Sequence, residues 1–157
     1  MILRSLAPTL VCAMALLCAG PAAAQTSLSG PSDAKMKKLV AELADETTKL
    51  TGEIKTGSLE EDATATFSFP IQRGKTYWVY AACDDCDDIN LEGKNQRGDV
   101  LDFDEGDDAD PVLLVSDKFA TQLNVTIEMK ACGVKTCPFG LGLYEGALVW
   151  PGGPPQQ

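Results

Sequence analysis

The chain contains no histidine. That excludes a Ser-His-Asp triad, a Cys-His dyad and every histidine-bearing zinc site, because each needs an imidazole as base or ligand. Basic residues are also scarce, with 13 lysines and arginines against 23 acidic residues and a formal net charge of −10. A field of that sign repels nucleic acid and anionic lipid and favours cations or basic partners. After residue 24 no apolar run approaches the roughly 20 residues that a membrane-spanning helix requires, and no internal repeat is found.

What is present begins with a secretory leader. Arg4 gives a positive start, Leu6 to Ala19 is apolar apart from Pro8 and Thr9, and Ala22-Ala23-Ala24 offers small residues for cleavage before Gln25. A membrane anchor is disfavoured because the run is short and Gly20-Pro21 ends it. Lipid attachment at Cys18 is disfavoured by the bulky Leu17 before it. The expected location is periplasmic or extracellular, with no membrane association after cleavage after Ala24. The 133 residues that remain suit a single domain and carry 12 basic against 23 acidic residues, a net charge of −11.

Cys12 and Cys18 leave with the leader, so Cys83, Cys86, Cys132 and Cys137 remain. In an exported chain four cysteines read as two disulfides with three connectivities open. The local pairs, Cys83 with Cys86 and Cys132 with Cys137, are favoured. The runner-up joins the two clusters, which would close larger loops and stabilise more through chain entropy.

A small, polar lead-in at 25–30 precedes an expected amphipathic helix over 31–52. Ser32 or Asp33 offers an N-cap, Met36, Leu39, Val40, Leu43, Thr47 and Leu50 recur at three- and four-residue spacing, and Gly52 offers a stop. The period then changes to two. A short edge strand at Glu53 to Thr56 leads to a Gly57-Ser58 turn, and Ala65 to Phe69 alternates until Pro70. Lys75 to Ala82 is apolar on both faces, with Tyr77, Val79 and Ala81 opposite Trp78 and Tyr80, which marks a central strand. Ile89 and Leu91 face inward against Asp88 and Asn90; by the same alternation Leu101 and Phe103 are expected inward against Asp102 and Asp104. Pro111 to Val115 reads as a short buried strand. Leu123, Val125, Ile127 and Met129 alternate with polar residues, and Phe139, Leu141 and Leu143 alternate with Gly140, Gly142 and Tyr144. Those glycines predict close approach of another backbone or a bulge. The sum is a mainly β chain: an antiparallel sandwich of seven or eight strands, jelly-roll or Greek-key in kind, over 53–150, preceded by one helix and followed by a Pro- and Gly-rich tail at 151–157.

Twelve of the 23 acidic residues fall between Asp84 and Asp110, against only Lys94 and Arg97. A hard cation such as calcium takes six to eight oxygens. The candidate ligands are Asp87, Asp88, Asn90, Asp102, Asp104, Asp107, Asp108 and Asp110. Asp102 to Gly106 resembles the opening of an EF-hand loop, but its glycine arrives one residue early and the later spacing fails. The bland alternative is a set of solvated strand faces and turn-forming aspartates. The Cys83-Asp84-Asp85-Cys86 spacing suits a redox pair, yet it follows a strand and is flanked by carboxylates that stabilise thiol over thiolate, so a structural disulfide is favoured.

Several segments in order, Gly57-Ser58-Leu59, Phe67-Ser68-Phe69, Gln72 to Tyr77, Cys83 to Leu91, Asp107 to Val112 and Cys132 to Gly142, resemble the bacterial pre-peptidase C-terminal domain, in its cysteine-bearing exported subset. The resemblance spans roughly 52–145. It implies a small, non-catalytic β-sandwich, with calcium and surface or matrix binding in some relatives. The family's Asp-Leu-Asp-Leu strand reads Asp88-Ile89-Asn90-Leu91 here, and Asn90 costs a cation site one charge. The expected function is that of a non-catalytic binding or accessory module with a protein or polysaccharide partner. One rival is a glycoside hydrolase with two carboxylates about 5 to 9 Å apart in a cleft. The other is a structural envelope protein whose helix stripe stays exposed for a partner.

Overall fold

A computed structural model describes residues 28–147. The expected leader and tail and half of the lead-in (25–27) lie outside the described residues. Helix α1 (Pro31–Leu43) opens with Gly30 at the N-cap and Pro31 in the first helical position, not with Ser32 or Asp33 as cap. Proline is preset for that position, where its missing N–H is not needed. Asp33 instead serves the first turn: it accepts from Lys37 Nζ at 2.8 Å and from Thr56 Oγ1 at 2.5 Å.

The helix stops nine residues before the expected end at 52. Ala44 is extended, and Asp45 turns the chain by accepting from Thr47 N at 2.6 Å through its side chain and from Thr48 N at 3.0 Å through its carbonyl. Side-chain bonds of this kind compete with helix continuation. Thr47 and Leu50 therefore leave the apolar stripe, and Leu50 joins a two-residue strand, β1 (Lys49–Leu50).

Eight further strands follow: β2 (Lys55–Leu59), β3 (Thr64–Pro70), β4 (Thr76–Cys83), β5 (Cys86–Asn95), β6 (Val100–Asp104), β7 (Val112–Ser116), β8 (Gln122–Cys132) and β9 (Cys137–Glu145). One sheet runs β1-β9-β4-β7 with β2 also on β9; the other runs β3-β8-β5-β6. Every pairing is antiparallel. The chain is thus a β-sandwich with one helix, as the two-residue alternation predicts. Tyr77, Val79, Ile89, Leu91 and the alternate residues of β8 and β9 fill the space between the sheets. Gly57 lies inside β2 and not in a turn, because it faces Phe139: a Cβ there would stand 2.7 Å from the ring.

The helix stripe is packed, not exposed. Met36 and Val40 are fully buried on the outer face of the first sheet, each contributing roughly 1.5–3 kcal/mol. Glycine makes the approach fit: a Cβ at Gly140 would meet Val40 Cγ2 at 2.7 Å and Met36 O at 3.1 Å. Beneath the helix Trp78 stacks on Tyr80, and Tyr80 meets Tyr144 edge-on. The rings of Trp78 and Tyr80 are taken up by this packing.

The cysteines pair locally, Cys83–Cys86 and Cys132–Cys137. Each pair straddles a corner where the chain leaves one sheet for the other, β4 to β5 and β8 to β9. Cys86 lies opposite Cys132, and the corners bond to each other through Asp84 N to Pro138 O at 2.9 Å and Gly133 N to Asp85 O at 2.9 Å. Lys35 reaches from the helix to Asp84 at 2.5 Å.

Candidate functional site

Strand β6 presents the opposite face to the one its sequence suggests. Leu91 pairs with Asp104 and Gly93 with Asp102, so both aspartates share the inward side of β5's core residues, while Phe103 lies opposite Glu92 on the outer side. A bulge between Gly93 and Lys94 makes the switch: β6 advances from Asp102 to Val100 for one step on β5, leaving Leu101 half-buried against the core. Phe103 is 61% exposed. The inward aspartates find donors on the edge of the other sheet. Asp102 Oδ2 accepts from Leu114 N at 2.7 Å, and Asp104 Oδ2 accepts from Val112 N at 3.0 Å. Strand β7 buries Leu113 and Val115 as expected and is also an edge strand, whose free N–H groups these carboxylates cover, which blunts a surface that would otherwise pair with another chain.

The other proposed ligands are scattered. Asp87, Asp107, Asp108 and Asp110 are exposed. Within the 105–111 loop, Asp108 Oδ1 accepts from Asp110 N at 3.3 Å, and Asp104 Oδ1 accepts from Gly106 N at 3.1 Å. The loop's carbonyls close the end of the sandwich, Asp108 O accepting from Ile89 N and Ala109 O from Cys83 N, both at 3.0 Å. Among the described residues no three His, Cys, Asp or Glu side chains converge closely enough to hold a metal ion. The eight candidate ligands named from the sequence are divided between β5, β6 and the 105–111 loop.

What the fold does build is a groove of about 530 Å³ on the outer face of the second sheet. Asn90 and Glu92 of β5, Thr126 and Glu128 of β8 and Val100 and Phe103 of β6 line it, with Thr64 and Glu105 at its margins. Their placement follows from the register, with Asn90 opposite Glu128 and Glu92 opposite both Thr126 and Phe103. Glu92 pairs with Lys94, and Glu128 with Lys130 at 3.2 Å. The sequence had signalled the acids but not the groove, because the reversal of Phe103 depends on the bulge. Val100, 52% exposed beside it, carried no signal at all.

Asp88 continues the outward row of β5. Desolvation, then the charges of Asp107, Asp108 and Glu128 working against Lys130, push its carboxyl above the usual carboxylate range. The folded state therefore binds more protons than the unfolded chain between the unfolded and folded values, and stability falls as pH rises through that window. Asp88→Asn should remove this slope and raise the melting temperature at pH 7 by on the order of 1–2 °C, after allowance for screening at a partly exposed site. Melting curves from pH 4 to 8 check it.

No family model matches this chain, and no curated protein does. Among solved structures it is similar to one described as "CBM4 structure and function", at 13% identity and a TM-score of 0.40, covering 59% of this chain and 70% of that one. It is also similar to the glycosylation-associated protein Gap123 complex of Streptococcus agalactiae, at 16% identity and a TM-score of 0.38, covering 64% of this chain and 39% of that one. Accessory secretory protein 1, 2 and 3 of Streptococcus pneumoniae gives 12% identity and a TM-score of 0.38, covering 65% and 87%. Among the described residues no helix is long and apolar enough to cross a membrane.

Proposed function

We propose that this chain is an exported, non-catalytic binding module whose ligand, a protein or a polysaccharide, lies in the groove over β5, β6 and β8. One observation carries the reading: Phe103, which strand alternation would have buried, stands 61% exposed at a concave wall that also holds amide, hydroxyl and carboxylate groups. An apolar surface with a few convergent polar groups is the usual make-up of a ligand site. The ordered turns and cysteines that resemble the pre-peptidase C-terminal domain support the same class. No part of this reading uses calcium.

Phe103→Ala tests it. An exposed side chain contributes little to folding, so stability should stay within about 0.5 kcal/mol and the melting temperature within a few degrees. Binding to a ligand selected from panels of envelope polysaccharides and peptides should weaken tenfold or more. Equal binding by the variant would remove the groove from the function.

The hydrolase reading has one observation in its favour. Glu92 and Glu128 are diagonal neighbours across β5 and β8 and both line the groove, and a glycosidase works with two carboxylates facing one cleft. Each carboxylate, however, is already paired with a lysine two residues on, whereas an inverting enzyme needs one to serve the leaving oxygen and the other to serve a water. The binding module is the better-supported class.

A further inference from the structure

We infer that the groove takes a cationic, partly apolar peptide segment: an arginine or lysine seated against Phe103 beside Glu105, with a neighbouring aliphatic side chain against Val100. This rests on the groove being the binding face and adds the ligand's chemistry. Charge complementarity is the first support. The groove is lined by three glutamates and no lysine or arginine. The lysines nearest in sequence, Lys94 and Lys130, are engaged by Glu92 and Glu128. Glu105 makes no ion pair among the described residues, so it keeps its charge for a partner. The whole chain, at −10, attracts the same sign of ligand.

The second support is a deficit of donors. Asn90 Oδ1, in the groove lining, is shielded from solvent without a hydrogen-bond partner, as is Asp88 Oδ1 one outward place along β5 and outside the lining. A guanidinium supplies five N–H donors in a planar fork, and an ammonium supplies three. The third is Phe103 itself, since an exposed aromatic face attracts a cation, arginine most often. A neutral glycan would use the ring and the amide but would leave Glu105 without a charge-matched partner.

The experiment is an NMR titration of the full isotope-labelled chain with three probes, at low salt and at 0.3 M salt. The probes are a peptide of alternating arginine and leucine, the same peptide with glutamate for arginine, and a neutral oligosaccharide. The arginine peptide should shift the amides of Asn90, Phe103 and Thr126, bind several-fold more weakly at high salt, lose tenfold or more on Phe103→Ala and lose about three- to fivefold on Glu105→Gln. Val134→Ala, exposed and absent from the groove lining, should change nothing. Equal binding of the glutamate peptide, or shifts at these amides from the oligosaccharide alone, would overturn the cationic assignment while leaving the groove as the binding face. No shift at these amides from any probe would overturn both.

Discussion

Replacing Asp102 and Asp104 together by alanine should lower the melting temperature by on the order of 10 °C and promote self-association. Each carboxylate accepts from a backbone N–H of β7, at 2.7 Å for Leu114 and 3.0 Å for Val112, and hydrogen bonds to charged groups contribute roughly 1.5–3 kcal/mol each. Alanine removes the acceptor and leaves the donor facing the gap between the sheets. A loss of about 3–5 kcal/mol follows, at several degrees per kcal/mol for a domain of this size. The second consequence is topological. β7 ends its sheet, and uncovering its donors creates a pairing edge. Sedimentation velocity should show concentration-dependent dimers or larger species for the double variant. Asp102→Asn with Asp104→Asn keeps an amide oxygen at each place and should recover most of the loss. If the alanine variant melts with the wild type, the carboxylates are not holding the edge.

Gly140→Val should detach the helix. A Cβ at that position already falls 2.7 Å from Val40 Cγ2 and 3.1 Å from the Met36 carbonyl. A side chain can turn away, but the carbonyl belongs to the helix backbone and moves only with the helix. Valine adds two more carbon atoms in the same space. Overpacking of this kind costs about 1–3 kcal/mol when neighbours adjust. When they cannot, the cheaper outcome is release of α1, which forfeits the burial of Met36 and Val40, roughly 3–6 kcal/mol in all. Amide exchange should then accelerate across 31–43 while β8 remains protected, and the near-ultraviolet signal of Trp78, Tyr80 and Tyr144 should change with it. An unaltered exchange pattern would mean that the helix is held elsewhere, by Lys35 on Asp84 and Asp33 on Thr56.

Period-two alternation was enough to read the sandwich. β8 announces itself through Leu123, Val125, Ile127 and Met129, and β4 through apolar faces on both sides, which matches its place between β7 and β9. Gly140 and Gly142 also carried their meaning, since only close packing explains glycine at alternate places in an otherwise apolar strand. Three features were hidden for physical reasons. Thr47 and Leu50 continue a helical spacing by coincidence, and the stop lies in the ability of Asp45 to bond Thr47. Gly57 has the composition of a turn, but the buried ring of Phe139, opposite it on the paired strand β9, requires it flat in a strand. Phe103 is the most instructive of the three. Alternation separates two sides of a strand without saying which is inside, and the bulge opposite Gly93 and the N–H groups of β7 decide that aspartate goes in and phenylalanine goes out. The candidate site depends on this reversal, so the acids were legible from the sequence and the groove was not.

The two sulfur bridges sit together, since Cys86 faces Cys132 across the ladder, and among the described residues the far end carries no disulfide, its layers being joined by backbone alone where β3 passes to β4 and β7 to β8. There the Gln72 to Lys75 turn, the Gln96 to Asp99 turn and the Asp117 to Thr121 loop rely on hydrogen bonds alone. Fraying should begin at this end, where hydrogen bonds hold the turns, and reach the cross-linked cysteine corners last.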